Sequence, residues 1–150
     1  MSHDDTPRPL DLAQVRARLT TGYVGREIVY RARLGSTNDL AQELARQRAR
    51  EGTLVIADEQ TAGRGRLGRQ WLSPPCTNLL MSLLFYPPLA PAQAQRMTMV
   101  CALAVADALQ CVAGVRADIK WPNDILLRGK KAAGVLTELG LQGDALAYTV

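Results

Sequence analysis

The sequence predicts an α+β domain, a mixed β-sheet with helices packed on one face. Three observations predict it. Two strand-like runs, REIVYRARL at 26–34 and TLVIADE at 53–59, flank a segment of helical period. Residues 92–113 repeat apolar side chains at helical spacing. The remainder (RADIKW, DILLR, AAGVLTEL) is short, strand-like and divided by turn residues.

Residues 1–10 read as a disordered lead. Asp11 is placed to cap a short helix carrying Leu12, Val15 and Leu19, ended near Gly22. After the first strand, Ser36 or Thr37 caps a helix over about 38–50, with Leu40 and Leu44 inward. TLVIADE is a buried-strand run. Residues 60–70, QTAGRGRLGRQ, lack an apolar period and hold three glycines, so a loop is expected. NLLMSLLFY, about 78–86, is the next strand, and Pro87, Pro88 and Pro91 end it. In 92–113, Met97, Val100, Cys101, Ala104, Val105 and Ala108 form the expected core stripe. DILLR and AAGVLTEL read as a hairpin around Gly129-Lys130, and DALAYTV as a further strand in which the chain stops.

A chain of 150 residues buries about 68–70% of its unfolded surface, enough for a core. With 47% hydrophobic and 21% charged residues, general disorder is excluded. The one histidine, His3, lies in the lead, which excludes a Ser-His-Asp triad and a His-rich metal site. Cys76, Cys101 and Cys111 are odd in number and lack CxxC spacing, so a reducing, cytoplasmic compartment fits best. No secretory signal and no unbroken run of about 18 apolar residues is found, so no membrane partner is expected. The net charge is +4; fifteen of the eighteen basic residues are arginine, and the lysines (Lys120, Lys130, Lys131) cluster, by chance or because a compact ammonium is wanted there.

Four segments carry candidate chemistry. In Gly63-Arg64-Gly65-Arg66-Leu67-Gly68-Arg69-Gln70-Trp71, glycines let the backbone approach a ligand and guanidinium forks match phosphate or carboxylate oxygens. Trp71 adds a face for stacking on a base. The same composition also suits a solvated basic loop. Its GxGxxG leads to Pro74-Pro75 rather than a helix, which argues against a dinucleotide fingerprint. Lys120-Trp121-Pro122-Asn123-Asp124 places a proline bend in strand-like sequence, with two polar groups to read a ligand or simply to make an Asx turn. Lys131-Ala132-Ala133-Gly134 opens an apolar strand with a lysine whose ammonium is expected near the interior, the alternative being a surface lysine on a turn. Ser36-Thr37-Asn38 is a helix-capping cluster that also offers donors to a polar ligand.

Together and in this order, Ser36-Thr37-Asn38, Gln60 ahead of GRGRLGRQW, KWPND and KAAGVLTEL resemble the biotin protein ligases, over about residues 26–150. The resemblance implies a fold like that of class II aminoacyl-tRNA synthetases and ATP-dependent adenylation of biotin to biotinyl-5′-AMP. Transfer to a lysine of a biotin carboxyl carrier protein of a biotin-dependent carboxylase would follow. It implies Lys131 and Arg64 as catalytic residues. It places Ser36, Thr37, Asn38, Gln60, Arg64, Gly65, Arg66, Lys131 and Gly134 around biotin, and Arg66, Arg69, Trp71, Asn123 and Asp124 on the ATP side. Asp124 either helps a metal or orients Lys131. Mg²⁺ is implied by ATP, and pairing as a homodimer by the family.

Three departures follow. About 25 residues precede the first strand, no room for the helix-turn-helix of repressor-type members, so no DNA role is expected. The family usually has glycine where Cys76 stands, which bears on that turn. The family also continues past Val150 into a GxGxN-type turn and a small β-barrel, so 1–25 is expected to be a lead with a short helix and 26–150 a catalytic domain cut short. The alternatives are a shortened domain without activity, a lipoate or octanoate enzyme of the same fold, and an arginine-rich RNA-binding module.

Overall fold

The structure, a computed structural model, describes residues 7–150. His3 and the start of the lead lie outside the described residues. The described chain falls into two compact units, one running to Tyr86 and including Val150, the other spanning Pro87–Thr149.

The first unit holds α1 (Leu12–Arg18), β1 (Ile28–Leu34), α2 (Thr37–Arg46), β2 (Leu54–Gln60) and β3 (Leu80–Leu83). Asp11 caps α1 as expected, its side chain accepting the Ala13 and Gln14 N–H at 3.0 and 3.1 Å. The described residues ahead of it, 7–10, have no regular structure, although Leu10 N–H donates to Asp58 Oδ1 at 3.4 Å. The strands form the expected mixed sheet in the order β1-β2-β3, parallel between β1 and β2 and antiparallel between β2 and β3. Central β2 is buried over Leu54–Asp58, as its continuous apolar run requires.

α2 stops at Arg46, four residues before the expected end, and Arg48 follows with φ +59°. Its innermost residues are Thr37, Ala41 and Ala45, while Leu40 and Leu44 are half-buried. Small side chains at spacing four let the helix lie close on β2 and β3, and the leucines flank that seam.

The second unit holds α3 (Gln95–Ala113), the antiparallel sheet β4-β5-β6 (Asp118–Lys120, Asp124–Leu127, Lys130–Gly134) and a separate hairpin of β7 and β8 (Leu139–Gln142, Ala145–Thr149). The strands after α3 therefore form two sheets of their own rather than extending the first. The β5–β6 turn falls at Arg128-Gly129, one residue earlier than expected. Both have positive φ, +51° and +77°, the geometry of a two-residue hairpin turn.

α3 packs on β4 and β5, rotated from the expected stripe. Ala94 at its cap, Thr98 and Ala102 are buried, whereas Val100, Ala104 and Ala108 are exposed. The helix is apolar nearly all round, so apolar period does not locate its inner face; the small residues at spacing four do, as on α2. Gly114, φ +64°, ends it, donating its N–H to Gln110 O. By length and composition Pro91–Ala113 would suffice to cross a membrane, which a search for an unbroken apolar run misses because Arg96, Asp107 and several glutamines interrupt it. The cysteines are unpaired, and burial pushes the Cys101 thiol pKa up, which makes it less reactive.

Candidate active site

In the first unit, the end of β2, the middle of β3 and the start of α2 converge on one polar cluster. Ser36 occupies the N-cap position of α2 and is buried, but its side chain makes no capping bond, contrary to expectation. The cap comes from another strand: Gln60 Oε1 accepts the Thr37 N–H at 2.7 Å and the Thr37 hydroxyl at 2.9 Å. An amide from β2 thus satisfies a helix-start N–H that would otherwise be orphaned. Ser82 Oγ stands within hydrogen-bonding reach of both Thr37 Oγ1, at 2.8 Å, and Asn38 Oδ1, with one proton to donate between them. Ser82 is a member the sequence reading missed; its signal is a lone hydroxyl in the apolar run LLMSLLF.

The arginine-glycine segment leaves this cluster as a tongue closed on itself. Trp71 N–H donates to Gly63 O at 2.9 Å, Gly65 N–H to Arg69 O at 2.7 Å, and Arg64 bridges Gln70. A β-carbon on Gly63 would stand 2.6 Å from Trp71 O, so the neck requires glycine. At the tip, Leu67 and Gly68 have φ +58° and +71°. Arg64, Arg66 and Arg69 are exposed on the tongue, Gly65 is partly covered, and Trp71 is half-buried at the base. Arg64 is clamped by Asp39 in the first turn of α2, Nη1 to Oδ2 at 2.9 Å and Nη2 to Oδ1 at 2.6 Å. This guanidinium holds the Asp39 carboxyl below the usual aspartate range. Ser36 and Asp39 also line an open cavity of about 600 Å³ together with Arg31, Arg33, Glu43 and Arg46; Thr37, Asn38 and Gln60 do not line it.

Beyond the tongue, Cys76 sits in a turn with φ +58°, and its N–H donates to Asp58 O at 3.0 Å. Buried Asp58 accepts the Tyr30 hydroxyl, a hydrogen bond that with burial raises the phenol pKa.

In the second unit, Trp121-Pro122 is a cis peptide at the β4–β5 bend. Asn123 Nδ2 donates to Asp124 Oδ1 at 3.0 Å, and Lys131 Nζ meets the same oxygen at 2.7 Å. The Lys131 side chain is 43% exposed, so its ammonium keeps water and a carboxylate rather than entering the interior. Strand register explains the pairing. Lys131 lies opposite Leu126, which shares a face of β5 with Asp124. A bulge at Ala132 then brings Gly134, not Ala133, opposite Asp124, leaving the face beside the carboxylate without a side chain. Asn123, Asp124, Lys131 and Gly134 are thus brought together, and Trp121 is exposed.

Residues 30–150 match the biotin/lipoate A/B protein ligase family. The chain belongs to this family. It is 43% identical over 144 residues to the bifunctional ligase/repressor BirA of Bacillus subtilis, covering 96% of this chain and 44% of that protein. It is 37% identical over 137 residues to the biotin–[acetyl-CoA-carboxylase] ligase of Mycobacterium tuberculosis, covering 87% and 52%. Among solved structures, the Leishmania major biotin protein ligase in complex with biotinyl-5-AMP superposes with a TM-score of 0.67 at 30% identity, over 83% of this chain and 56% of that one. The Aquifex aeolicus biotin protein ligase in complex with biotin and ATP gives 0.63 at 34% identity, over 83% and 50%. The chain thus spans about half the length of the relatives it matches. The α+β fold is the family's.

Proposed function

We propose that the protein to which this chain belongs is a biotin protein ligase. The biotin carboxylate oxygen attacks the α-phosphorus of ATP, pyrophosphate leaves, and the acyl carbon of biotinyl-5′-AMP is then attacked by a lysine amine of a carrier domain, releasing AMP. The observation that carries this reading is the Lys131–Asp124–Asn123 group. A lysine held at a fixed place by a carboxylate is suited to bringing two anions, a carboxylate and an α-phosphate, together and to following charge into the transition state. Ser36, Thr37, Asn38 and Gln60 would receive the polar ureido ring, with Gly134 keeping space beside Asp124. Arg64, Gly65 and Arg66 would meet carboxylate and phosphate oxygens, and Arg69, Trp71 and Asn123 would serve the nucleotide. The carrier would be that of a biotin-dependent carboxylase, as the names of the relatives suggest.

Among the described residues no group of three or more His, Cys, Asp or Glu gathers to hold a metal. Mg²⁺ would therefore arrive with ATP, on phosphate oxygens and water, while Asp124 is engaged by Lys131.

Biotin-dependent ATP–pyrophosphate exchange tests the proposal. Lys131→Ala is expected to lower the rate by about 10²–10³. Equal rates in wild type and Lys131→Ala, or exchange driven by lipoate or octanoate in place of biotin, would overturn it.

A further inference from the structure

The tongue needs an anchor, and the first turn of α2 supplies one. The hydrogen bonds Gly65–Arg69 and Gly63–Trp71 tie the tongue to itself, and Leu67 at its tip is 89% exposed. They set its shape. Its neck is tied to the end of β1, Thr61 N–H donating to Leu34 O at 2.9 Å and Ala62 N–H to Gly35 O at 2.8 Å. Beyond the neck the direction is set at Arg64, whose guanidinium takes both carboxylate oxygens of Asp39 at 2.9 and 2.6 Å. Such a two-point fork fixes direction as well as distance. Asp39 is itself held on a helix, in the first turn, where negative charge is favoured. We propose that Asp39 is a positioning residue for the adenylation reaction: it fixes Arg64, and through it the whole tongue, against α2 before any ligand binds.

This inference rests on the functional reading above, in which the tongue meets biotin and phosphate. Asp39 touches no reacting atom in that reading. An exposed pair contributes little to the stability of the whole fold, but it acts directly on the segment it holds. Ligand affinity then scales with the fraction of molecules whose tongue is already in place.

Asp39→Asn keeps size and helix position and removes the charge; Asp39→Glu restores it. The first measurement needs no ligand. Trypsin cleaves after Arg64, Arg66 and Arg69, and cleavage in the tongue is expected to be about twofold to fivefold faster in Asp39→Asn, with the thermal unfolding midpoint unchanged and Asp39→Glu slower than Asp39→Asn. Equal cleavage in wild type and Asp39→Asn would overturn the proposal. The second measurement is pyrophosphate exchange by the full-length protein. KM for biotin should rise by about the same factor while kcat stays within about twofold. A fall in KM would mean that Asp39 competes with the ligand for Arg64, and would also overturn it. If wild type shows no exchange, the functional reading fails, and the cleavage rates alone decide whether Asp39 anchors the tongue.

Discussion

Cys76 occupies a backbone conformation that suits glycine. Its φ of +58° places Cβ against the local carbonyl, which costs about 1–2 kcal/mol for an L-residue. Cys76→Gly removes that cost and adds chain entropy to the unfolded state, so a net gain of about 0.5–1 kcal/mol is expected. Chemical denaturation checks this, and Cys76→Val should lose stability by at least as much. The glycine anticipated at this position from the family pattern thus acquires a physical reason. The turn keeps its shape around cysteine, with the N–H still bonded to Asp58 O. Asp58 and Tyr30 were not legible as partners in sequence, because they come from different strands of a parallel pair.

The β5–β6 hairpin shows how an element converts spacing into chemistry. Lys131 reaches Asp124 because a two-residue turn fixes the register and a bulge at Ala132 brings glycine to the position facing the carboxylate. Gly134→Val separates the two consequences. Valine favours the strand, so stability should hold or rise by up to about 1 kcal/mol. Its side chain would crowd the face on which Lys131 meets Asp124, so exchange activity should fall about tenfold or more. Activity equal to wild type would refute this account. The Lys-x-x-Gly spacing was legible in the sequence, and so were the hairpin and α1 with its Asp11 cap. The bulge was not, because the register of an antiparallel pair depends on both strands. The inner faces of α2 and α3 were misread for a related reason. Apolar period identifies which residues avoid water, while close packing on a sheet selects the smallest of them, and size carries no period signal.

At the scale of the molecule, α3 leaves Met99, Val100 and Leu103, neighbours on one side of the helix, between 44% and 58% exposed. The helix is apolar enough to raise the question of a membrane, yet it carries Asp107 within its length, and a charge at bilayer depth costs about 2.5–3.5 kcal/mol. An exposed apolar face of this kind promotes association in water rather than insertion. The chain is expected to bind a hydrophobic dye and to self-associate as concentration rises. Leu103→Lys combined with Val100→Glu should reduce both without lowering the unfolding midpoint by more than about 0.5 kcal/mol equivalent. Recovery of the wild-type chain with floating liposomes would contradict this expectation.

The bond from Thr37 to Gln60 has a consequence for discrimination. A glutamine amide offers a carbonyl and an NH₂ and is indifferent, in sequence, to which of them a ligand meets. Here the backbone N–H of Thr37 can only donate, so it fixes Oε1 on the helix side, and the Thr37 hydroxyl occupies the same oxygen. The amide is thereby turned: Nε2 points away from the helix start, toward the neck of the tongue, where a β-carbon on Gly63 would stand 3.2 Å from it. If this cluster receives a ligand as proposed, a compound presenting a carbonyl oxygen to Nε2 would gain a hydrogen bond, and one presenting an N–H would lose water without replacement. The polarity that this end of the cluster would ask of a guest is thus written into the way a helix begins.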